Sequence, residues 1–210
     1  MNLTSPAIAL FCLGYCVGTL ASGADISVKG TITPAACTAR FINDTLDFGD
    51  IRAEDLSAVQ LNLLGTRQVD YLISCDAPTA VATSWTDNRA GTSHGGKPQQ
   101  FGLGLEGDRK IGHYELTHVE KDTMADGERV SLLVSLDGIY WEPGANQGFK
   151  VWRFGNQAYG FASSGATDPE AFSHYHGRLE LQAFVAPTRE LDLSKDVDLD
   201  GNATLSLVYL

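Results

Sequence analysis

Positive charge is scarce in this chain: 15 Lys and Arg stand against 26 Asp and Glu, for a net charge of −11. Long-range repulsion from that balance opposes binding to nucleic acid or to an anionic membrane face, and both are set aside as partners. Helical periodicity is missing as well. Ile51 to Val59 and Asp168-Pro169-Glu170-Ala171-Phe172 supply at most one helical turn each. Only four cysteines are present, with no CxxC spacing and no neighbouring His, which argues against a metal or redox pair. No nucleophile elbow occurs, and no Ser, His and Asp stand at a spacing that builds a triad. No catalysis and no cofactor are expected.

Residues 1–24 carry no charged side chain. Ile8 to Val17 is an apolar core, and the small residues Ala21-Ser22-Gly23-Ala24 follow it. This reads as a secretory signal peptide over 1–24, too short and wrongly flanked for a membrane span. Its n-region lacks Lys and Arg. Cys12 and Cys16 would leave with it, and Phe11 and Tyr15 before them are too large for a lipoprotein signal. Removing 24 of 210 residues leaves 186, one ordinary domain over 25–210. No other apolar stretch is long enough to span a bilayer. Cys37 and Cys75 remain, and an even count in an exported protein predicts a structural disulfide between them.

Period-2 alternation recurs along the rest of the chain. Ile26, Val28 and Ile32 alternate with Ser27, Lys29 and Thr31. Val59, Leu61 and Leu63 do so with Gln60 and Asn62. Val69, Tyr71, Ile73 and Cys75 share a face, as do Val130, Leu132, Val134 and Leu136, and again Leu179, Leu181, Ala183 and Val185. Turn-forming clusters separate these runs, among them Asp87 to Gly91, Ser93 to Pro98, Glu142 to Asn146 and Ser163 to Pro169. Short strands punctuated this way predict an all-β sandwich with long loops. The last ten residues continue the pattern, with Ala203, Leu205, Leu207 and Tyr209 on one face and Thr204 and Ser206 on the other. So apolar a terminal strand must be paired, and an unpaired copy would invite another chain to add to it.

Four motifs hint at chemistry, and each has a plainer explanation. Gly102-Leu103-Gly104-Leu105-Glu106-Gly107 has GxGxxG spacing, but strand alternation of Phe101, Leu103 and Leu105 runs through it and no helix follows to hold a pyrophosphate. Asp196-Val197-Asp198-Leu199-Asp200-Gly201 resembles the start of a calcium loop, yet its twelfth position is Leu207 where a bidentate Glu is required. Strand alternation with the acids outward suits it better. His174 and His176 would share a strand face but have no third ligand. Trp85, Tyr140, Trp141, Trp152 and Tyr159 could stack on sugars, with Tyr140 and Trp141 the most loop-like, although sandwich cores use large aromatics in any case. No metal site is expected.

The two ends together resemble the chaperone–usher fimbrial (pilin-type) subunits of Gram-negative bacteria, and closest to them a less characterised fimbrial-type branch. Ile26-Ser27-Val28-Lys29-Gly30-Thr31-Ile32-Thr33-Pro34-Ala35-Ala36-Cys37 is similar to their first strand and first cysteine. Cys75 follows a strand as their second cysteine does, and Tyr209 stands where they carry a penultimate tyrosine. Residues 85–175 match more loosely. The resemblance implies an immunoglobulin-like, pilin-type β-sandwich that lacks its last strand. A periplasmic chaperone lends one, and a neighbouring subunit's N-terminal arm replaces it. It further implies that Leu205, Leu207 and Tyr209 line the accepting groove and that the Leu210 carboxylate is held by the chaperone's basic residues. The implied partners are the chaperone, the usher and other fimbrial subunits, with a host glycan as an optional further one. The implied route is export to the periplasm and then the cell surface. With cleavage near Ala24 only Asp25 precedes the strand-like Ile26, so a tip or minor subunit is expected. The competing expectation is a self-complete secreted sandwich that binds carbohydrate through its loops.

Overall fold

A computed structural model describes residues 36–144 and 149–210. The proposed signal segment, Cys12, Cys16, the Ile26–Ile32 alternation and the Ala145-Asn146 part of one turn cluster lie outside the described residues. Thirteen strands follow in chain order: β1 (Cys37–Phe41), β2 (Asn62–Asp87), β3 (Phe101–Gly102), β4 (Leu105–Glu106), β5 (Arg109–Lys110), β6 (Gly112–His118) and β7 (Met124–Ala125). They continue with β8 (Glu128–Arg129), β9 (Ser131–Ser135), β10 (Glu142–Pro143), β11 (Phe154–Ala162), β12 (Ala171–Val185) and β13 (Ala203–Tyr209). The only helical pieces among the described residues are single 3-10 turns at Ala53–Asp55, Glu120–Asp122 and Thr188–Glu190. The chain is all-β and antiparallel, as its alternation predicts, and no described helix is long and apolar enough to cross a membrane.

The two layers share one strand. The first half of β2 sits between β1 and β12, and β12 pairs onward to β6 and β6 to β3. The second half of β2 sits between β13 and β11, and β11 pairs onward to β9 and β9 to β10. The strand changes layer around Asp76-Ala77-Pro78. There the β12 ladder jumps from Ser74↔His174 to Thr79↔Phe172, and Pro78, lacking an N–H, fits a gap in the ladder where no donor is needed. The short hairpin β7–β8 turns through Asp126 (φ 47°) and Gly127 (φ 87°), and pairs its first strand with Tyr175 and His176 of β12.

Odd-numbered residues of β2 point inward on both sides of this crossing: Val69, Tyr71, Ile73 and Cys75 in one layer, Val81, Thr83 and Trp85 in the other. Tyr159, Phe161, Tyr175, Leu132 and Leu179 close the core around them. Burying a side chain of this size is worth roughly 1.5–3 kcal/mol, so these few residues dominate cohesion. The disulfide joins Cys37 to Cys75, opposite one another in the β1–β2 ladder. It fixes the short edge strand β1.

Three local expectations need correction. The alternation at Val59, Leu61 and Leu63 is real but faces solvent: all three are exposed, and the strand starts only at Asn62. The Asn62 side chain holds the inward position by accepting from Ser57 N–H and donating to Ala186 C=O. A register shift at Gly65 (φ 134°) then resets the parity, so the inward series runs on even numbers to Leu64 and on odd numbers from Val69. Asp168 to Phe172 makes no helical turn, since Ala171 and Phe172 already belong to β12. Leu136 lies past the end of β9 and is exposed, while Leu133, on the face opposite Leu132, is buried.

Candidate functional site: the open edge between the layers

From the crossing of β2, two edge strands diverge. β1 runs along one layer from Cys37 to Phe41 and β13 along the other from Tyr209 back to Ala203. At the narrow end they are tied together, because the Tyr209 hydroxyl accepts a 3.0 Å hydrogen bond from Cys37 N–H. Leu210 N–H donates to Ala80 C=O beside it. At the wide end the layers part over a cavity of about 870 Å³. Its floor is the sandwich interior itself, including Val69, Trp85, Tyr114, Leu116 and Leu179. Interiors are normally packed to crystal-like density. A gap of this size that opens into the core is therefore a part of the sandwich that no described residue fills, and it has the volume of an ordinary binding site.

Two segments form the lips, Asp44–Ile51 and Leu193–Asn202, and neither is in a sheet among the described strands. Each alternates. Leu46 and Phe48 pack onto the core with Asp47 outward, and Val197 and Leu199 do so with Asp196, Asp198 and Asp200 outward. The first lip is pinned by Arg67, whose Nε donates to Asp47 C=O at 3.3 Å while its guanidinium lies 4.7 Å from the Phe48 ring centroid. The second is pinned by Arg89, which donates to Asp200 C=O and pairs with its carboxylate at 2.6 Å. Asn88 N–H and Asp200 N–H complete that clamp by donating to Asn202 and Leu103 carbonyls.

The four predicted groove residues divide. Leu205 and Leu207 are half-buried on the core face of β13, but the cavity meets this strand only at Gly201–Ala203. Tyr209 and Leu210 are half-exposed at the narrow end. Among the described strands β13 pairs only with β2, and its other edge has no described strand beside it. The lips themselves were not found from sequence as site elements. The Asp196–Asp200 alternation marked one of them, with the acids outward as expected, but it forms no ladder. The Leu46 and Phe48 spacing was the signal for the other.

The remaining candidates are structural. Gly102 is packed so closely on Thr92 and the Arg89 carbonyl that a side chain would not fit, Gly104 has φ 90°, and no helix follows, so the glycine spacing serves a tight strand turn. No group of three metal-ligating side chains occurs among the described residues. His176 lies 3.5 Å from Asp70, and His174 is paired with Asp126. Asp70 is held below the usual carboxylate range, chiefly by its hydrogen bonds from Arg178. Trp85 and Tyr159 are buried core residues, Trp141 and Trp152 are half-buried, and Tyr140 is 76% exposed. At the centre of the sandwich His118 is enclosed by Tyr71, Trp85 and Tyr159, with ring centroids 5.9, 6.2 and 4.5 Å away. Burial pushes its pKa down to about 3. It faces no cavity and no nucleophile, so it serves packing.

Residues 26–105 match the family described as "Protein of unknown function (DUF1120)". That stretch contains β1, the first lip, β2 and the disulfide. Over 215 aligned residues the chain is 28% identical to "Uncharacterized protein YhcF" of Escherichia coli (strain K12), covering 88% of this chain and 90% of the relative. It is 26% identical to "Protein GltF" of the same organism over 252 aligned residues, covering 100% of this chain and 98% of the relative.

Proposed function

We propose that this protein is a structural or adhesive subunit of a surface fimbria, exported to the periplasm and completed there by a β-strand from another protein. The observation that carries the reading is the gap between the two edge strands, an apolar interior that no described residue covers beside a strand whose outer edge no described strand uses. A borrowed strand would pair along such an edge through its main chain and set its register by dropping alternate side chains into the cavity. The sequence likeness to pilin-type subunits at Ile26–Cys37, Cys75 and Tyr209 supports the same assignment. A periplasmic chaperone is the first donor, a neighbouring subunit the second, and no catalytic step is assigned to the chain.

Expression in the periplasm with and without a cognate chaperone tests this. The chain alone should aggregate or be degraded, and with the chaperone it should be recovered as a soluble one-to-one complex. A chain that stays soluble, monomeric and protease-resistant by itself would reject the proposal. One observation favours a second reading, a self-complete carbohydrate-binding sandwich. Ile139 and Tyr140 project into solvent from a loop whose N–H groups are held by the Asp137 carboxylate. Glycan-array binding lost in Tyr140→Ala would support that reading.

A further inference from the structure

We infer that the open edge selects its donor strand by charge, and that the strand it takes is an extended segment of another protein with aliphatic residues on one face and Lys or Arg on the other. The inference rests on the strand-accepting role proposed above and adds the chemistry of the partner. Along the second lip, and around Asp47 in the first, inward apolar residues alternate with outward acids, and two further exposed acids, Asp44 and Asp50, flank Leu46 and Phe48. Asp44, Asp47 and Asp50 stand on one side of the mouth, Asp196 and Asp198 on the other. All five are exposed, and none forms an ion pair with a described residue. The lysine in the lining, Lys195, is engaged by Glu106 at 3.2 Å. Arg67 sits at the first lip, leaving the mouth with a clear excess of negative charge.

This pattern follows from strand geometry. Alternate residues of an extended segment face opposite ways, so turning Val197 and Leu199 onto the core brings Asp196 and Asp198 to the rim, and Asp47 stands outward between Leu46 and Phe48. Asp50 follows Gly49 (φ 68°), where the alternation breaks, and Asp44 is exposed at the start of the lip. A strand laid between the lips places every second side chain in the cavity and the others among these carboxylates. Lys or Arg there relieves the repulsion between the lips, whereas Asp or Glu adds to it, so wrong donors are rejected by like charge. A low-dielectric cleft lined by one sign of charge also steers the encounter, mainly through the association rate, and added salt suppresses the effect.

The test uses the full exported chain, released from its chaperone complex, and three synthetic peptides of about ten residues. All three alternate the same aliphatic residues, with Lys, Ser or Glu in the intervening positions. Affinity and association rate are measured at low salt and at about 0.5 M salt. The Lys peptide should bind about tenfold tighter than the Ser peptide at low salt, the Glu peptide more weakly than either, and the spread should fall to about twofold or less at high salt. In the Asp44→Asn, Asp50→Asn, Asp196→Asn, Asp198→Asn variant the three peptides should converge at low salt too. Equal binding of all three at both salts would overturn charge selection while leaving strand acceptance intact. If no peptide binds and the chain is stable alone, strand acceptance fails and the charge inference falls with it.

Discussion

Acidification should destabilise this fold in a window where carboxylates do not yet titrate, and His118 is the cause. In the unfolded chain its imidazole takes up a proton once pH falls below about 6.5. Folded, it is enclosed by three aromatic rings and stays neutral down to about 3. Between those values the unfolded state binds one proton more than the native state, so stability falls as pH falls. The full contribution is present above about 6.5 and is lost progressively on the way down, at about 1.4 kcal/mol per pH unit. From pH 7 to pH 5 the loss from this residue alone is about 2 kcal/mol. His113, also buried and lowered by desolvation, acts in the same direction. Asp70 acts elsewhere: its lowered pKa gives stability that persists above about 3.8 and disappears only below it. Urea unfolding of the strand-complemented chain, followed by tryptophan fluorescence from pH 7 to 5, measures the slope. His118→Leu should cut most of it whatever its effect on absolute stability. An equally steep loss in His118→Leu would show that this imidazole does not control the acid response.

Other consequences follow from particular contacts. Replacing Cys37 and Cys75 by Ser opens a 38-residue loop, which on chain-entropy grounds costs about 4 kcal/mol; denaturation with and without reductant should show the difference in the parent and not in the double variant. Trp85→Ala, at a fully buried site beneath the cavity, should cost about 3–5 kcal/mol in the same assay. Gly112→Ala should be disproportionately damaging, because its new methyl would run into the Phe184 carbonyl across the β6–β12 ladder; a loss of about 1–3 kcal/mol is expected, with faster amide exchange at Gly112–His118. If the chain is exported as proposed, N-terminal sequencing of its mature form should begin near Asp25, as the apolar run and small-residue cluster at its front imply.

Much of the architecture was legible because antiparallel strands record their own faces. The runs at Val69–Cys75 and Leu179–Val185 are straightforward: half-buried strands with odd-numbered positions inward, as the structure has them. Val59, Leu61 and Leu63 show the limit of that method. Alternation fixes which residues share a face but not which face meets the core, and Asn62 decides it through long-range hydrogen bonds that no local pattern encodes. The second half of β2 is not among the alternating runs read in the sequence, and that the strand of Val69–Cys75 continues past Pro78 into the other layer shows only in the structure. The candidate site was legible only in part. The terminal strand and the disulfide follow from alternation and cysteine count, whereas the edge they share with β2 does not. The lips do not, because a segment that packs on a core without hydrogen-bonded partners carries the same pattern as a strand inside a sheet.

That ambiguity bears directly on how the edge works. The lips alternate like strands yet pair with no described strand, so their inward residues are held by side-chain packing and by two arginine clamps, Arg67 on one lip and Arg89 on the other. Each clamp grips a backbone carbonyl, of Asp47 or of Asp200, and so fixes the main chain while leaving the Asp47 carboxylate outside any ion pair with a described residue. Backbone already held in place by such contacts loses less entropy when a strand arrives than a free segment would. A closed sandwich would gain nothing from holding its flanks in this way. On the proposed strand-accepting role, the clamps would hold the flanks of the edge in register until another chain fills it.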